Sequence, residues 1–143
     1  MGRFLVVANQ TAGSPELADE VRSISAADAN AEFVLLVPAT RVGSLLTLTE
    51  GESLEAARRA ADVGRHSLER AGARCVQTRI GDESPFLAIA DEITSNGSYD
   101  ALIICTLPTG ASRWLKLDVP RRIRNQFSLP VRHVVAERAA GAK

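Results

Sequence analysis

Arg3-Phe4-Leu5-Val6-Val7-Ala8 is an apolar run with almost no polar alternation. A strand of that kind is buried on both faces, which places it inside a parallel sheet with helices above and below. The residues after it support this. Ser14-Pro15-Glu16 offers a capping hydroxyl, a proline at the first helical position and an acid for the positive end of the dipole. Leu17, Val21 and Ile24 then fall at helical spacing.

Working outward, the same unit repeats. Strands are predicted over residues 31–37, 75–80, 101–105 and 130–136. Helices are predicted over residues 54–71, with Gly72 as the stop, then from Phe86 to near Asn96-Gly97, and after Asp118, which is expected to cap the last one. Strict alternation implies parallel strands joined by right-handed crossovers. The fold class is therefore α/β, a three-layer sandwich whose expected strand order is 3-2-1-4-5. The length fits a single domain over residues 1–143, with a polar tail from about residue 137 and no helix after the fifth strand. That missing helix argues against a flavodoxin-like or response-regulator domain. So does Asn9-Gln10 at the end of the first strand, where a phosphoacceptor domain would place acids.

Composition excludes several function classes. No apolar stretch is long enough to span a bilayer, and no cleavable leader pattern precedes the first strand, so a cytoplasmic protein without membrane contact is expected. The formal net charge is zero, which argues against general nucleic-acid binding. Charge is uneven, however: acids such as Glu16, Asp19 and Glu20 weight the first half, and Arg121, Arg122, Arg124 and Arg132 the last third. Cys75 and Cys105 lack motif spacing and read as reduced thiols. His66 and His133 read as surface or packing histidines, and no metal site is expected. There is no nucleophile elbow, Walker loop or dinucleotide fingerprint, and no catalytic residue is assigned.

In a sheet of this order, ligands bind beyond the carboxyl ends of strands one and four. The lips of that crevice carry Asn9, Gln10 and Thr11 on one side and Thr106, Thr109, Gly110, Ser112 and Arg113 on the other. These side chains could hold a small anion or polar metabolite, or could satisfy their own loops. Trp114 in the second loop reads as a packing anchor. Residues 39–53 form an unusually long connection with Leu45, Leu46 and Leu48, suited to a lid or to a dimer arm.

The strand Ala101-Leu102-Ile103-Ile104-Cys105, the helix entry Asp118-Val119-Pro120-Arg121-Arg122-Ile123 and the closing Leu129-Pro130-Val131-Arg132-His133-Val134-Val135 together resemble a universal stress protein. The resemblance runs over essentially the whole chain, element by element. It implies a role in stress survival or signalling, and a homodimer through the last strand, with Val131, Arg132, His133, Val134 and Val135 at the interface. Proline at Val134 is expected to break that pairing. ATP-binding members carry three glycines around the fourth strand and the last helix. Here Ile104, Leu107 and Leu117 stand at those positions, and Asp118 at the hydroxyl position. Gly110 is the sole glycine between Gly97 and Gly141, so no register restores the motif. The adenine-contacting acid of those members corresponds to Asn9. ATP is therefore not expected as a cofactor. The resemblance implies a non-catalytic, dimeric stress-response or regulatory protein, the alternative being a nucleotide or small-anion binder using an altered loop after strand four.

Overall fold

β1 (Arg3–Val7) lies at the centre of the sheet, flanked by β2 (Glu32–Pro38) and β4 (Ala101–Thr106). β3 (Cys75–Gly81) and β5 (Val131–Val135) form the edges, giving the five-stranded order β3-β2-β1-β4-β5. Every pairing is parallel. The expected order and sense are thus observed. The computed structural model describes residues 2–9, 11–39, 50–81, 84–108 and 118–137, with the side chains of residues 50–53 and 75 left aside. Residues 40–49 of the lid-or-arm segment fall outside these residues.

Both faces of the sheet are dry because each inner strand is apolar at successive positions. Val6, Leu35, Ile103 and Cys105 point to one side, where they meet Leu17 and Val21 of α1 (Pro15–Ala27) and Ala57, Ala61 and Leu68 of α2 (Glu50–Arg70). Leu5, Val7, Leu36, Leu102 and Ile104 point to the other, against Ala88 and Ile89 of α3 (Pro85–Asn96) and Val119 and Ile123 of α4 (Val119–Phe127). Two core layers share one sheet.

Local signals explain most boundaries. The Ser14 hydroxyl accepts the Leu17 N–H at 3.3 Å and starts α1 as the sequence predicts. Gly72 takes φ +110°, the left-handed conformation that ends α2. α2 begins at Glu50, ahead of the predicted Leu54, because the apolar stripe that located it in the sequence starts only at Leu54. Asp118 departs from expectation. It occupies the N-cap position of α4 in the left-handed region (φ 56°), and its carboxylate makes no capping hydrogen bond. Left-handed geometry turns the side chain away from the helix amides, and the carboxylate instead faces Arg121 at 3.8 Å. The cap is absent, although the negative charge stays at the helix entry.

Candidate functional site

Sheet order puts the switch point between β1 and β4, and three expected site residues converge there. Each has a partner within the protein. The Asn9 side-chain amide donates to the Pro38 carbonyl at 2.7 Å, tying the end of β1 to the end of β2. The buried Thr11 hydroxyl donates to the Cys105 carbonyl at 2.9 Å, tying the same loop to β4. Thr106 Oγ1 lies 2.7 Å from His133 Nε2, tying β4 to β5. Ser14, buried beside them, places its hydroxyl 3.7 Å from the Cys105 sulfur. The polar lip therefore staples four adjacent strands at their carboxyl ends. Gln10, Thr109, Gly110, Ser112 and Arg113 lie outside the described residues, as does Trp114.

Electrostatics at this end favour neutral groups. Burial pushes the Cys105 thiol above its ordinary range, against the opposing contacts from Thr11 and Ser14. Burial, and then the Arg124 charge, hold the His133 imidazole below the usual histidine range. Such a thiol is a poor nucleophile, since the thiolate is the reactive form. Ile104, expected from the sequence to stand where ATP-binding members of the resembled family carry a glycine, is a fully buried strand residue in the core. No set of His, Cys, Asp or Glu able to hold a metal occurs among the described residues. No helix there is long and apolar enough to cross a membrane.

The edge at β5 is the second candidate surface. Leu102 N–H donates to the Pro130 carbonyl and Ala136 N–H to the Thr106 carbonyl. With Leu102 opposite Val131, residues 130, 132, 134 and 136 direct their peptide groups to β4. Val131, His133 and Val135 direct theirs away from the sheet. This corrects one expectation: the Val134 N–H serves the subunit's own ladder, so proline there would damage β4–β5 pairing and not the free edge alone. Val135 is 42% exposed on this edge. Arg132 does not project freely, because its Nε meets Glu20 of α1 at 2.6 Å. The Glu137 N–H donates to Glu16 of α1 at 3.2 Å. Part of the charge asymmetry in the sequence is thus a seam between α1 and β5.

A third cluster lies at the other edge, and the sequence reading does not single it out. Glu92, 6% exposed, accepts from the Tyr99 hydroxyl at 2.7 Å and from Asn96 at 3.1 Å. Arg79 Nε lies 3.1 Å from the same carboxylate oxygen. Arg3 stacks over the Tyr99 ring at 4.3 Å. Burial, followed by the Glu92 carboxylate, raises Tyr99 to about 12. A signal exists in the sequence: Glu92 falls on the same stripe as Ala88 and Ile89, where an acid must find a partner.

The strand order, with helices on both faces, matches the fold of solved universal stress proteins. A universal stress protein in complex with cAMP matches over 93% of this chain and 96% of its own, at 18% identity and a TM-score of 0.57. A protein of the universal stress protein family from Burkholderia pseudomallei matches over 92% and 94%, at 16% identity and a TM-score of 0.59. No family model matches the sequence, and no curated protein is similar to it. In fold, the chain is Usp-like.

Proposed function

We propose that this chain is a non-catalytic, homodimeric stress-response or regulatory protein that pairs through β5 and does not hold ATP in the usual manner of ATP-binding universal stress proteins. The observation that carries this reading is a contrast in engagement. At the crevice, the side chains of Asn9, Thr11 and Thr106 are bonded to the protein itself. At β5, a row of peptide groups faces outward with Val135 exposed beside it. An unpaired edge with apolar side chains is a template for a second strand. A two-fold axis closes such a contact at two copies. Phosphate cradles need glycines that admit backbone amides, and Ile104, Leu107 and Leu117 supply side chains in their place.

Calorimetric titration with magnesium and ATP near neutral pH tests the nucleotide half, and no heat of binding is expected. A dissociation constant of about 1 μM, near −8 kcal/mol, would overturn it. Light scattering tests the dimer half.

A second reading keeps a nucleotide or small anion at the same crevice. It is favoured by the cAMP held by one structural neighbour and by Ser112 and Arg113 in the loop sequence. Titrations with cAMP and with inorganic phosphate, together with mass spectrometry of molecules released from the purified protein, separate the two.

A further inference from the structure

Regulation of the β5 dimer is a separate matter, and its reading rests on the dimer proposed above. The outward peptide groups belong to Val131, His133 and Val135. When a strand pairs antiparallel with its own copy, hydrogen-bonded partners have residue numbers of constant sum. Within β5, only the register centred on His133 engages all three outward residues at once. It sets Val131 against Val135, His133 against its own copy, and Val135 against Val131. Shifting the register by one hydrogen-bonded pair leaves at least one of the three without a partner. The centred register also lays a valine over Val135, which is otherwise 42% exposed. Directly opposite residues in such a pair have Cα atoms about 5.5 Å apart and side chains on one face.

We propose that His133 makes this dimer acid-labile: two neutral imidazoles flank the two-fold axis, and protonating them sets like charges against each other across it. Among the described residues nothing offsets that charge. From β4, Thr106 meets the ring with a hydroxyl. From α4, Arg124 adds positive charge. From α1, Glu16 and Glu20 bear on the opposite face, where they are engaged by the Glu137 N–H and by Arg132. Arg132 itself lies along that face. No carboxylate among the described residues acts on the imidazole. Burial and Arg124 keep the ring neutral near physiological pH, so the edge is competent to pair there.

Sedimentation velocity of the full chain between about pH 8 and about pH 5 reads the effect, this being the span over which histidine changes charge. The dimer dissociation constant is expected to rise at least about tenfold on acidification, the equivalent of one pKa unit. Circular dichroism at each pH establishes that the subunit stays folded. His133→Gln should abolish the dependence, and His66→Gln, which alters the only other histidine, should preserve it. A dimer whose dissociation constant is flat across the range, or an equal rise in His133→Gln, overturns this inference and leaves the dimer standing. A monomer at about pH 8 overturns both.

Discussion

The two edges of the sheet each carry an arginine held by a helix glutamate, and they differ in nearly everything else. On β3, Arg79 reaches Glu92 of α3, a carboxylate sunk into the protein and shared with Tyr99 and Asn96. On β5, Arg132 reaches Glu20 of α1 across a surface where the arginine is 63% exposed. Ala39 N–H donates to the Gly81 carbonyl, so odd-numbered residues of β3 face β2 and Val76, Thr78 and Ile80 face outward. Of these, Val76 and Ile80 pack their side chains onto the core beneath α2. Val135, the last outward residue of β5, remains exposed. Among the described residues both edges therefore present outward peptide groups, but only β5 has an exposed apolar side chain, Val135, beside them. Cover, more than charge, distinguishes an edge that is closed from one that is offered.

The largest expected effect breaks this contrast directly. Proline tolerates an edge strand where the lost N–H faces outward, so Val135→Pro and Thr78→Pro are matched substitutions on the two edges. Val135→Pro is expected to yield a folded monomer on the order of tens of micromolar by light scattering, a range in which the proposed dimer is expected to persist without the substitution. Thr78→Pro is expected to leave the dimer unchanged. A dimer lost through Thr78→Pro and kept through Val135→Pro would reverse the assignment of the edges.

Next in size is the anchor of the closed edge. Glu92→Gln removes the charge that Arg79 and Tyr99 share, at an expected cost of about 1–3 kcal/mol in chemical denaturation. Tyr99 gives a second readout, because it is the chain's only tyrosine and its ionisation can be followed by ultraviolet absorbance. In the folded protein the midpoint should lie at about 12. An unfolded tyrosine titrates near ~10, so the native state retains its proton where the unfolded state loses it. The resulting stability is fully present below that unfolded value and is lost as pH rises through the folded one. With Glu92→Gln the midpoint should fall but stay above the ordinary value, since burial is the larger cause. An unchanged midpoint would show that the carboxylate does not govern Tyr99.

Smaller again is the helix that covers β3. Gly64 of α2 lets the helix settle, for a Cβ there would stand 2.6 Å from a Leu35 methyl and 3.0 Å from the Ala12 Cβ. Gly64→Ala gains roughly 1 kcal/mol of helix propensity. It loses about 1–3 kcal/mol to overpacking. A net loss of about 1 kcal/mol in urea denaturation is expected, with the dimer retained. Stabilisation would mean that α2 is held less closely than the distances imply.

Much of this was legible in the residues. Fully apolar strands announce a sheet buried on both faces, and the Ser14-Pro15 start of α1 obeys the local rules for a capped helix. The switch point, and hence the meeting of Asn9, Thr11 and Thr106, came from strand order. Their partners could not be read, because Pro38, Cys105 and His133 are distant in sequence and meet them only once the strands align. Asp118 misled for a related reason. Aspartate favours an N-cap, but the side chain can reach the amides only from extended backbone, and the observed left-handed φ is not encoded by the residue type. Glu92 carried a visible signal in its place on an apolar stripe, yet apart from Asn96 on its own helix its partners lie on β3 and just before β4. Peptide-group parity on β5 is likewise a product of register, which is why proline at Val134 is the wrong probe and Val135 the right one.

The smallest expected effect sharpens the same contrast at the open edge. Glu20 and Arg132 form two contacts, Nε to Oε2 at 2.6 Å and Nη2 to Oε1 at 3.3 Å, a forked geometry stronger than a single contact. Glu20 is 18% exposed, but the guanidinium meets water over most of its surface, so solvent screens the pair. Exposed pairs of this kind contribute about 0–1 kcal/mol. Glu20→Gln should therefore cost less than about 1 kcal/mol, and the difference from wild type should shrink in high salt as the Debye length falls to about 3 Å at 1 M. Set beside Glu92→Gln, the same change of residue type is made against an arginine on each edge, but Glu92 is more deeply buried and also holds Tyr99 and Asn96. If Glu20→Gln proves as costly as Glu92→Gln, or equally costly at all salt concentrations, α1 clamps β5 as firmly as α3 clamps β3. The open edge would then owe its exposure to Val135 alone, and not to looser anchoring of the strand.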